Sequence, residues 1–384
     1  MFNKPQQSQK CKKSFYQISS FKHLCNYNND STYTIRYEEK SKIILPQSFY
    51  NPVLTEDFPS KAYYERPSLD KTTAHLGQRK LLMAEFQLLT PLFSPTHTPS
   101  SSRQIVVVYV GAGPGQHINI LIKCFPTLKW KLIDPAFSTR PDKGLLEYQR
   151  QGVCEILACF FTDELAHKIR DECKDCDIVY ISDIRKKDQD DNFPSNECIQ
   201  EDMQDQCRWY TILKPIRSQF KFRLPWVDEI NETTKLDSTM YLKGDIYFPI
   251  WGKPSTTESR LIVEGPDQPM VSYNHWKYQE QMFYFNSEHR VSCFDHEINK
   301  HVYRMAKNDL KKPVHYCHCH DCKSEIEILQ TLLKANDCNK HIDLSFAKAN
   351  LSRDEKKFEC SNDTKCHNII EIGSYIANYL HQYP

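Results

Sequence analysis

The chain has 384 residues and a formal net charge of +1, enough for one large domain or two modest ones. So balanced a charge selects no polyanionic partner by itself, and any nucleic-acid surface has to be a local patch. No apolar run approaches the roughly 20 residues that span a bilayer, so no membrane segment is expected. The 16 cysteines are scattered, and Met1 to Cys11 is polar with no apolar leader. This predicts a reducing, intracellular setting with mostly free thiols acting as small buried hydrophobes.

Residues 1–57 are rich in Asn, Gln, Ser, Lys and Tyr with little periodicity, and read as a partly disordered polar arm. Ala62-Tyr63-Tyr64-Glu65-Arg66-Pro67 follows as an extended segment with exposed aromatics. After His75-Leu76-Gly77-Gln78-Arg79-Lys80, the residues Leu81, Leu82, Phe86 and Leu89 fit one face of a helix. A Pro/Ser/Thr loop over 91–102 leads into Ile105–Val110, whose β-branched and aromatic run stops at Gly111. That pattern predicts a buried parallel strand ending in a tight turn, Gly111-Ala112-Gly113-Pro114-Gly115, before a helix over 115–125. Such a corner lets backbone approach a nucleotide closely. A second strand, 129–133, ends in Asp134. An acid about twenty residues beyond the glycines commonly takes the two hydroxyls of a ribose.

Strands are further expected at 154–159, 177–182, 218–223, 244–250 and 259–264, with helices at 162–172 and 197–213. Their alternation predicts an α/β fold with a mainly parallel sheet and helices on both faces. The 183–196 connection is polar and acidic and reads as mobile. Beyond 265 come an aromatic-rich stretch, Tyr273 to Phe285, and a Cys/His-rich piece. Helical segments at 324–335 and 367–380 close the chain. The piece Cys317-His318-Cys319-His320-Asp321-Cys322 has residue types suited to zinc. Its usual partner pair is not obvious, with Cys338, His341, Cys360, Cys366 and His367 as completions. It reads as a reduced structural loop, and no metal is assigned.

Ligands in open α/β sheets bind beyond the carboxyl ends of the strands, and Asp183 stands at such an end in Ile181-Ser182-Asp183-Ile184-Arg185. A helix cap explains it as well. Lys221, between Phe220 and Phe222, suits a solvated strand face when taken alone, and Glu258 alone is unremarkable. Together with Lys80, however, the set resembles the Lys-Asp-Lys-Glu tetrad of S-adenosylmethionine-dependent RNA 2′-O-ribose methyltransferases. The closest likeness is to the poxvirus-type cap-specific mRNA 2′-O-methyltransferase, which doubles as the small subunit of poly(A) polymerase. The matching blocks are Gly77–Leu82, Val107–Gly111 with Pro114-Gly115 and His117, Trp130–Asp134 and Ile181–Arg185. Ile212–Pro215, Lys221-x-Arg223-x-Pro225 and Glu258-x-Arg260-Leu261 follow in the family's order. They cover about residues 60–290.

The resemblance implies a Rossmann-like S-adenosylmethionine-dependent methyltransferase fold. It divides the chain into a polar arm (1–57), a 2′-O-methyltransferase domain (58–290) and a Cys/His-containing helical extension (291–384). Lys221 corresponds to the base or alkoxide stabiliser, Asp183 aligns it, and Lys80 and Glu258 hold the hydroxyl and the lysine in line. The cofactor positions carried over are Gln78, Tyr109, Gly111, Gly115, His117, Asp134, Phe160, Phe161, Ile184 and Arg185, with the phenylalanine pair flanking adenine. Ala136 stands where the family has Arg, and Arg140 is a substitute. For a 7-methylguanine cap the matching positions are Tyr64 and Trp226 as stackers and Asp228 as an edge reader. The second edge reader falls at Gln279, a departure from the family's carboxylate, or with a one-residue shift at Glu280. Arg140, Lys143, Lys186, Lys187 and Arg208 are candidates for RNA phosphates. The implied substrate is capped mRNA, and a viral poly(A) polymerase catalytic subunit is an implied partner. A cytoplasmic viral replication site, with packaging in the virion, is the implied location. Two rival readings remain open: a processivity subunit that binds RNA, and a 2′-O-methyltransferase for uncapped or ribosomal RNA.

Overall fold

The computed structural model describes residues 44–64, 76–93, 103–186, 194–227, 237–253, 256–290, 292–294, 320–338, 340–348 and scattered positions between 369 and 380. Its strands are β1 (Ile44–Leu45), β2 (Val53–Leu54), β3 (Ile105–Val110), β4 (Lys129–Ile133), β5 (Cys154–Leu157) and β6 (Asp177–Ser182). These are followed by β7 (Arg217–Phe222), β8 (Ser238–Leu242), β9 (Asp245–Tyr247), β10 (Ser259–Glu264), β11 (Met270–Asn274) and β12 (Cys293–Phe294). The helices are α1 (Gly77–Leu89), α2 (Ile118–Cys124), α3 (Lys143–Arg150), α4 (Asp163–Glu172), α5 (Asn196–Leu213), α6 (His275–Tyr284), α7 (His320–Cys338) and α8 (Ser345–Lys348).

An 8-stranded sheet ordered β2-β9-β10-β7-β6-β3-β4-β5 forms the centre. The five strands from β7 to β5 run parallel, while β10, β9 and β2 are antiparallel. Side chains alternate across a strand, and both faces of β3 are covered. Val107 and Tyr109 enter one core with Leu82 and Phe86 of α1, Ile118 and Leu121 of α2, and Ile326 and Leu329 of α7. Val106, Val108 and Val110 enter the opposite core with Ile169 of α4, Met203 of α5 and Met282 of α6. Full burial of a Leu or Phe side chain contributes roughly 1.5–3 kcal/mol, so the uninterrupted apolar run of β3 fits a strand enclosed on both sides.

Several elements depart from expectation. Helix α2 begins at Ile118, since Gly115 has a φ of +82° and cannot be a helical residue. Strand β9 ends at Tyr247, and the chain leaves the sheet toward Trp251, which is left-handed with φ of 56°. The aromatic-rich 273–285 stretch divides into the end of β11, which pairs with β8, and helix α6. Residues 44–57, expected in a loose arm, are tied down: β2 pairs with β9, and Gln281 Nε2 donates to the carbonyls of Thr55 and Phe58 at 3.2 and 2.8 Å. Helix α7 shares the core of α1 and α2. At the far end of the chain, positions 369, 372–373, 375–376 and 379–380 are helical; the rest of the 367–380 expectation lies outside the described residues. Among the described residues, no helix is long and apolar enough to cross a membrane.

Candidate active site

Strand register brings the distant polar residues onto one face. Tyr109 pairs with Ile181, Ile181 with Gln219, and Lys221 with Arg260. One alternation beyond Ile181 lies Asp183, and one before Arg260 lies Glu258. Asp183, Lys221, Glu258 and Arg260 therefore share the face of Tyr109, at the carboxyl edge of the parallel strands. Helix α1 covers that face: Gln219 Nε2 donates to Ala84 O at 2.7 Å, and Lys80 reaches down from its first turn.

The four residues of the expected tetrad meet. Lys80 Nζ lies 2.6 Å from Glu258 Oε1, and Lys221 Nζ lies 3.4 Å from Asp183 Oδ1 and 3.6 Å from Glu258 Oε2. Arg260, quoted in the Glu258-x-Arg260-Leu261 match but given no role from the sequence, completes the cluster at 2.8 Å from Asp183 and 3.4 Å from Glu258. The signal for it was its two-residue spacing from Glu258, which becomes decisive only once the register sets it opposite Lys221. Three cationic side chains thus surround two carboxylates. Burial opposes charge on Asp183 and Glu258, but Lys221, Arg260 and Lys80 outweigh it; both acids sit below their usual range, Glu258 well below. For Lys80 burial is the largest influence, only partly offset by Glu258, and its ammonium is held below the ordinary lysine value. Arg260 is raised: its burial is outweighed by Asp183 and Glu258.

Beside this cluster the end of β3 turns at Gly111 (φ +80°), where an added Cβ would lie 2.8 Å from the Asp183 carbonyl carbon. Only glycine lets the two strand ends touch. Gly113 N donates to Asp134 Oδ2 at 3.0 Å and Ala136 N to Oδ1 at 2.7 Å. A carboxylate has about four acceptor positions, so each oxygen keeps capacity for a ribose hydroxyl. Phe160 is 76% exposed nearby in sequence order along the same edge, and Arg185 Nη2 is buried without a hydrogen-bond partner. This cradle fits an adenosine-bearing cofactor. Gln78 and Ile184 are only part-buried, whereas Gly115 is buried.

Three expected cofactor contacts have buried side chains instead. Tyr109 gives its hydroxyl to Glu85 Oε1 at 2.5 Å, and His117 lies between Glu85 (3.0 Å) and Gln78 Oε1 (2.8 Å). Phe161 packs edge-on against Trp209 at 4.8 Å. Arg185 leans on buried Asp202 at 3.4 Å.

Aromatic rings gather around Trp226 and Phe283. Tyr63 meets Trp226 edge-on at 4.6 Å, and Tyr64 meets Phe283 at 5.0 Å. Tyr63, not the expected Tyr64, is thus the ring that faces Trp226. Gln279 is buried, accepting from Val227 N at 2.8 Å and donating to Val227 O at 3.1 Å, so both ends of its amide are spent on backbone. Glu280 is half-exposed. Asp228 lies outside the described residues, as do Lys187, Cys317 and Cys319. Arg208 is bound to Asp163 and Asp205, and Lys186 to Asp205 and Glu201, while Arg140 and Lys143 are exposed. No group of metal-ligating side chains occurs among the described residues.

A parallel α/β sheet with a glycine-turned nucleotide corner and a charged cluster at its carboxyl edge defines the Rossmann-like methyltransferase class of fold. The chain belongs to the poly(A) polymerase regulatory subunit family, whose profile matches residues 48–333. It is 29% identical over 271 residues to the fowlpox virus cap-specific mRNA (nucleoside-2′-O-)-methyltransferase, covering 67% of this chain and 82% of that protein. It is 25% identical over 278 residues to the myxoma virus (strain Lausanne) protein of the same name, covering 66% and 75%. Among solved structures, bluetongue virus VP4, described as a multifunctional RNA-capping production line, matches with a TM-score of 0.34 and 12% identity. That match covers 65% of this chain and 41% of the other.

Proposed function

We propose that this chain transfers a methyl group from S-adenosylmethionine to the ribose 2′-oxygen of the first transcribed nucleotide of capped mRNA. The observation that carries this reading is the meeting of Lys80, Asp183, Lys221 and Glu258, spread over the sequence, beside a glycine corner suited to adenosine. The names of the fowlpox and myxoma relatives support the same activity and substrate.

A ribose 2′-hydroxyl is a poor nucleophile because its pKa lies far above neutrality, so its proton has to leave as the oxygen attacks. The bound cofactor supplies a sulfonium whose methyl carbon is the electrophile. Lys221 Nζ, steered from two sides by Asp183 and Glu258, would take that proton as the oxygen bonds to the methyl carbon and the carbon–sulfur bond breaks, which would leave the cofactor as a thioether. Lys80, paired with Glu258, holds the hydroxyl in line. Arg260 holds both carboxylates, at 2.8 Å from Asp183 and 3.4 Å from Glu258. Asp134 takes the ribose of the cofactor, Phe160 its adenine, and the backbone of Gly111–Gly115 its close approach. Cap binding falls to Trp226 with the tyrosine pair, where stacking on a cationic 7-methylguanine gains from its charge. We place this activity in the cytoplasm, at a viral replication site.

The test is a transfer assay on RNAs that differ only in the cap, followed by nuclease digestion and mass spectrometry of the methylated nucleotide. Label on the 2′-oxygen of the first nucleotide of capped RNA is expected. Equal transfer to uncapped RNA moves the substrate to another RNA class, and label on a base ends the reading. The family's description also supports a role as an RNA-binding subunit of a poly(A) polymerase. An adenylation assay with the polymerase catalytic subunit, with and without this chain, checks that role.

A further inference from the structure

Behind the charged cluster lies a second, wholly buried set of ions. Asp321 and Glu325 are one turn apart on α7 and so share a face; they are 0% and 1% exposed. Asp321 takes Arg290 through Nε at 3.0 Å and Nη2 at 2.8 Å. Glu325 takes Arg79 through Nε at 3.0 Å and Nη2 at 2.7 Å. Between them sits Trp251, whose N donates to Asp321 Oδ2 at 3.1 Å and whose Nε1 donates to Glu325 Oε2 at 2.7 Å. Its carbonyl accepts from Leu76 N at 2.8 Å, just before α1 begins.

The branches of this set lead to the segments that carry Lys80 and Glu258. Arg79 precedes Lys80 on α1. Arg290 Nη2 and Nη1 donate to the carbonyls of Gly252 and Lys253 at 2.9 and 3.3 Å. The side chain of Asn286 joins Arg290 at 3.0 Å to Thr256 O at 2.8 Å. Thr256 Oγ1 in turn accepts from Glu258 N at 2.9 Å. One rigid helix therefore fixes the backbone on both sides of the pair.

Stability does not explain such an arrangement. Replacing buried ion pairs by apolar groups is often neutral or stabilising, and a left-handed bulky residue costs about 1–2 kcal/mol. Strain and buried charge of this kind persist where position matters. We propose that Asp321 and Glu325 are positioning residues for methyl transfer: through Arg290, Arg79 and Trp251 they set the geometry of the Lys80–Glu258 pair without touching substrate. The assignment rests on the reading of the site given above.

The test uses the full chain with Glu325→Gln, which keeps the side-chain shape but loses the charge against Arg79. Leu332→Ala, about two turns further along α7, is the destabilising control. Expected for Glu325→Gln is a kcat about 10²-fold lower, with unchanged KM for capped RNA and for S-adenosylmethionine. Lys80 should react faster with an amine-acylating reagent, read by mass spectrometry. Leu332→Ala should lower the unfolding temperature but leave kcat and Lys80 labelling as in the wild type. If Glu325→Gln fails to fold, Trp251→Phe, which removes the indole N–H together with part of the ring, should show the same pattern with a smaller kcat loss. Wild-type kcat and wild-type Lys80 labelling in the folded variant overturn the proposal, as does an equal kcat loss in the control. A wild-type chain that transfers no methyl, with Lys80 labelling still responding to Glu325→Gln, leaves the clamp standing and removes the proposed reaction.

Discussion

Replacing Lys221 by methionine separates chemistry from stability. Its ammonium lies 3.4 Å from Asp183 and 3.6 Å from Glu258. After its loss Asp183 still has Arg260 at 2.8 Å, and Glu258 still has Lys80 at 2.6 Å. Neither carboxylate is orphaned, so the cost should be near ~1 kcal/mol, well under the 3–5 kcal/mol of a broken buried pair. The rate should fall much further. A positioned proton-transfer group contributes about 10²–10⁴-fold, equivalent to roughly 3–5 kcal/mol of barrier. Single-turnover transfer of labelled methyl to capped RNA measures the rate, thermal melting the stability, and calorimetry the cofactor affinity. A variant that melts near the wild-type temperature, binds cofactor normally and turns over about 10²-fold slower or worse is expected. Turnover within a few fold of wild type refutes the role of Lys221.

Gly111→Ala should lose cofactor affinity and stability together, because φ of +80° penalises an L-residue and its Cβ would press on Asp183 at 2.8 Å; normal binding by calorimetry would contradict the close-packed corner. Tyr63→Ala should raise KM for capped RNA by about 5–150-fold, the worth of one stacking contact at ~1–3 kcal/mol, with kcat little changed. The same change at Tyr64, whose ring lies against Phe283, should do less, and the reverse order would reassign the stacker. Stability should also fall in mild acid. Burial lowers His289 from 6.5 to about 4, so the unfolded chain takes up the proton first as pH drops. The stabilisation is complete above about pH 6.5 and lost toward pH 4, about 3 kcal/mol in all. His289→Phe should flatten that limb of the melting profile, and an unchanged limb would assign it to other groups.

The sequence made the parallel half of the sheet legible, because strands covered on both faces read as unbroken apolar runs such as Ile105–Val110. It hid the antiparallel half. In β8 and β11 the exposed Met240 and Met270 blur any alternation, and β2 is too short to carry a pattern. Helices α3 and α6 went unread, since their caps, Asp142 and Asn274, are residue types that turns use equally. Within the site, Lys221 between two phenylalanines looked like a residue on a wet surface. Register puts its face under α1, a fact that depends on strand neighbours far away in sequence. The same holds for Arg260, and for Tyr109 and His117, whose polar atoms turned out to be spent on Glu85 and Gln78. Charged residues at the start of α7 gave no hint of burial, since their arginine partners lie some 30 and 250 positions upstream.

The seating of α1 against α7 has a consequence for synthesis. Every residue of the charged cluster leaves the ribosome well before residues 320–338 do. Yet the helix that carries Lys80 has its back wall in that late segment. A nascent chain can pair its parallel strands early, but it cannot finish the reaction centre until α7 has been translated. Competence waits on the translation of α7, so shorter products carry the full set of charged side chains without the wall that aligns them.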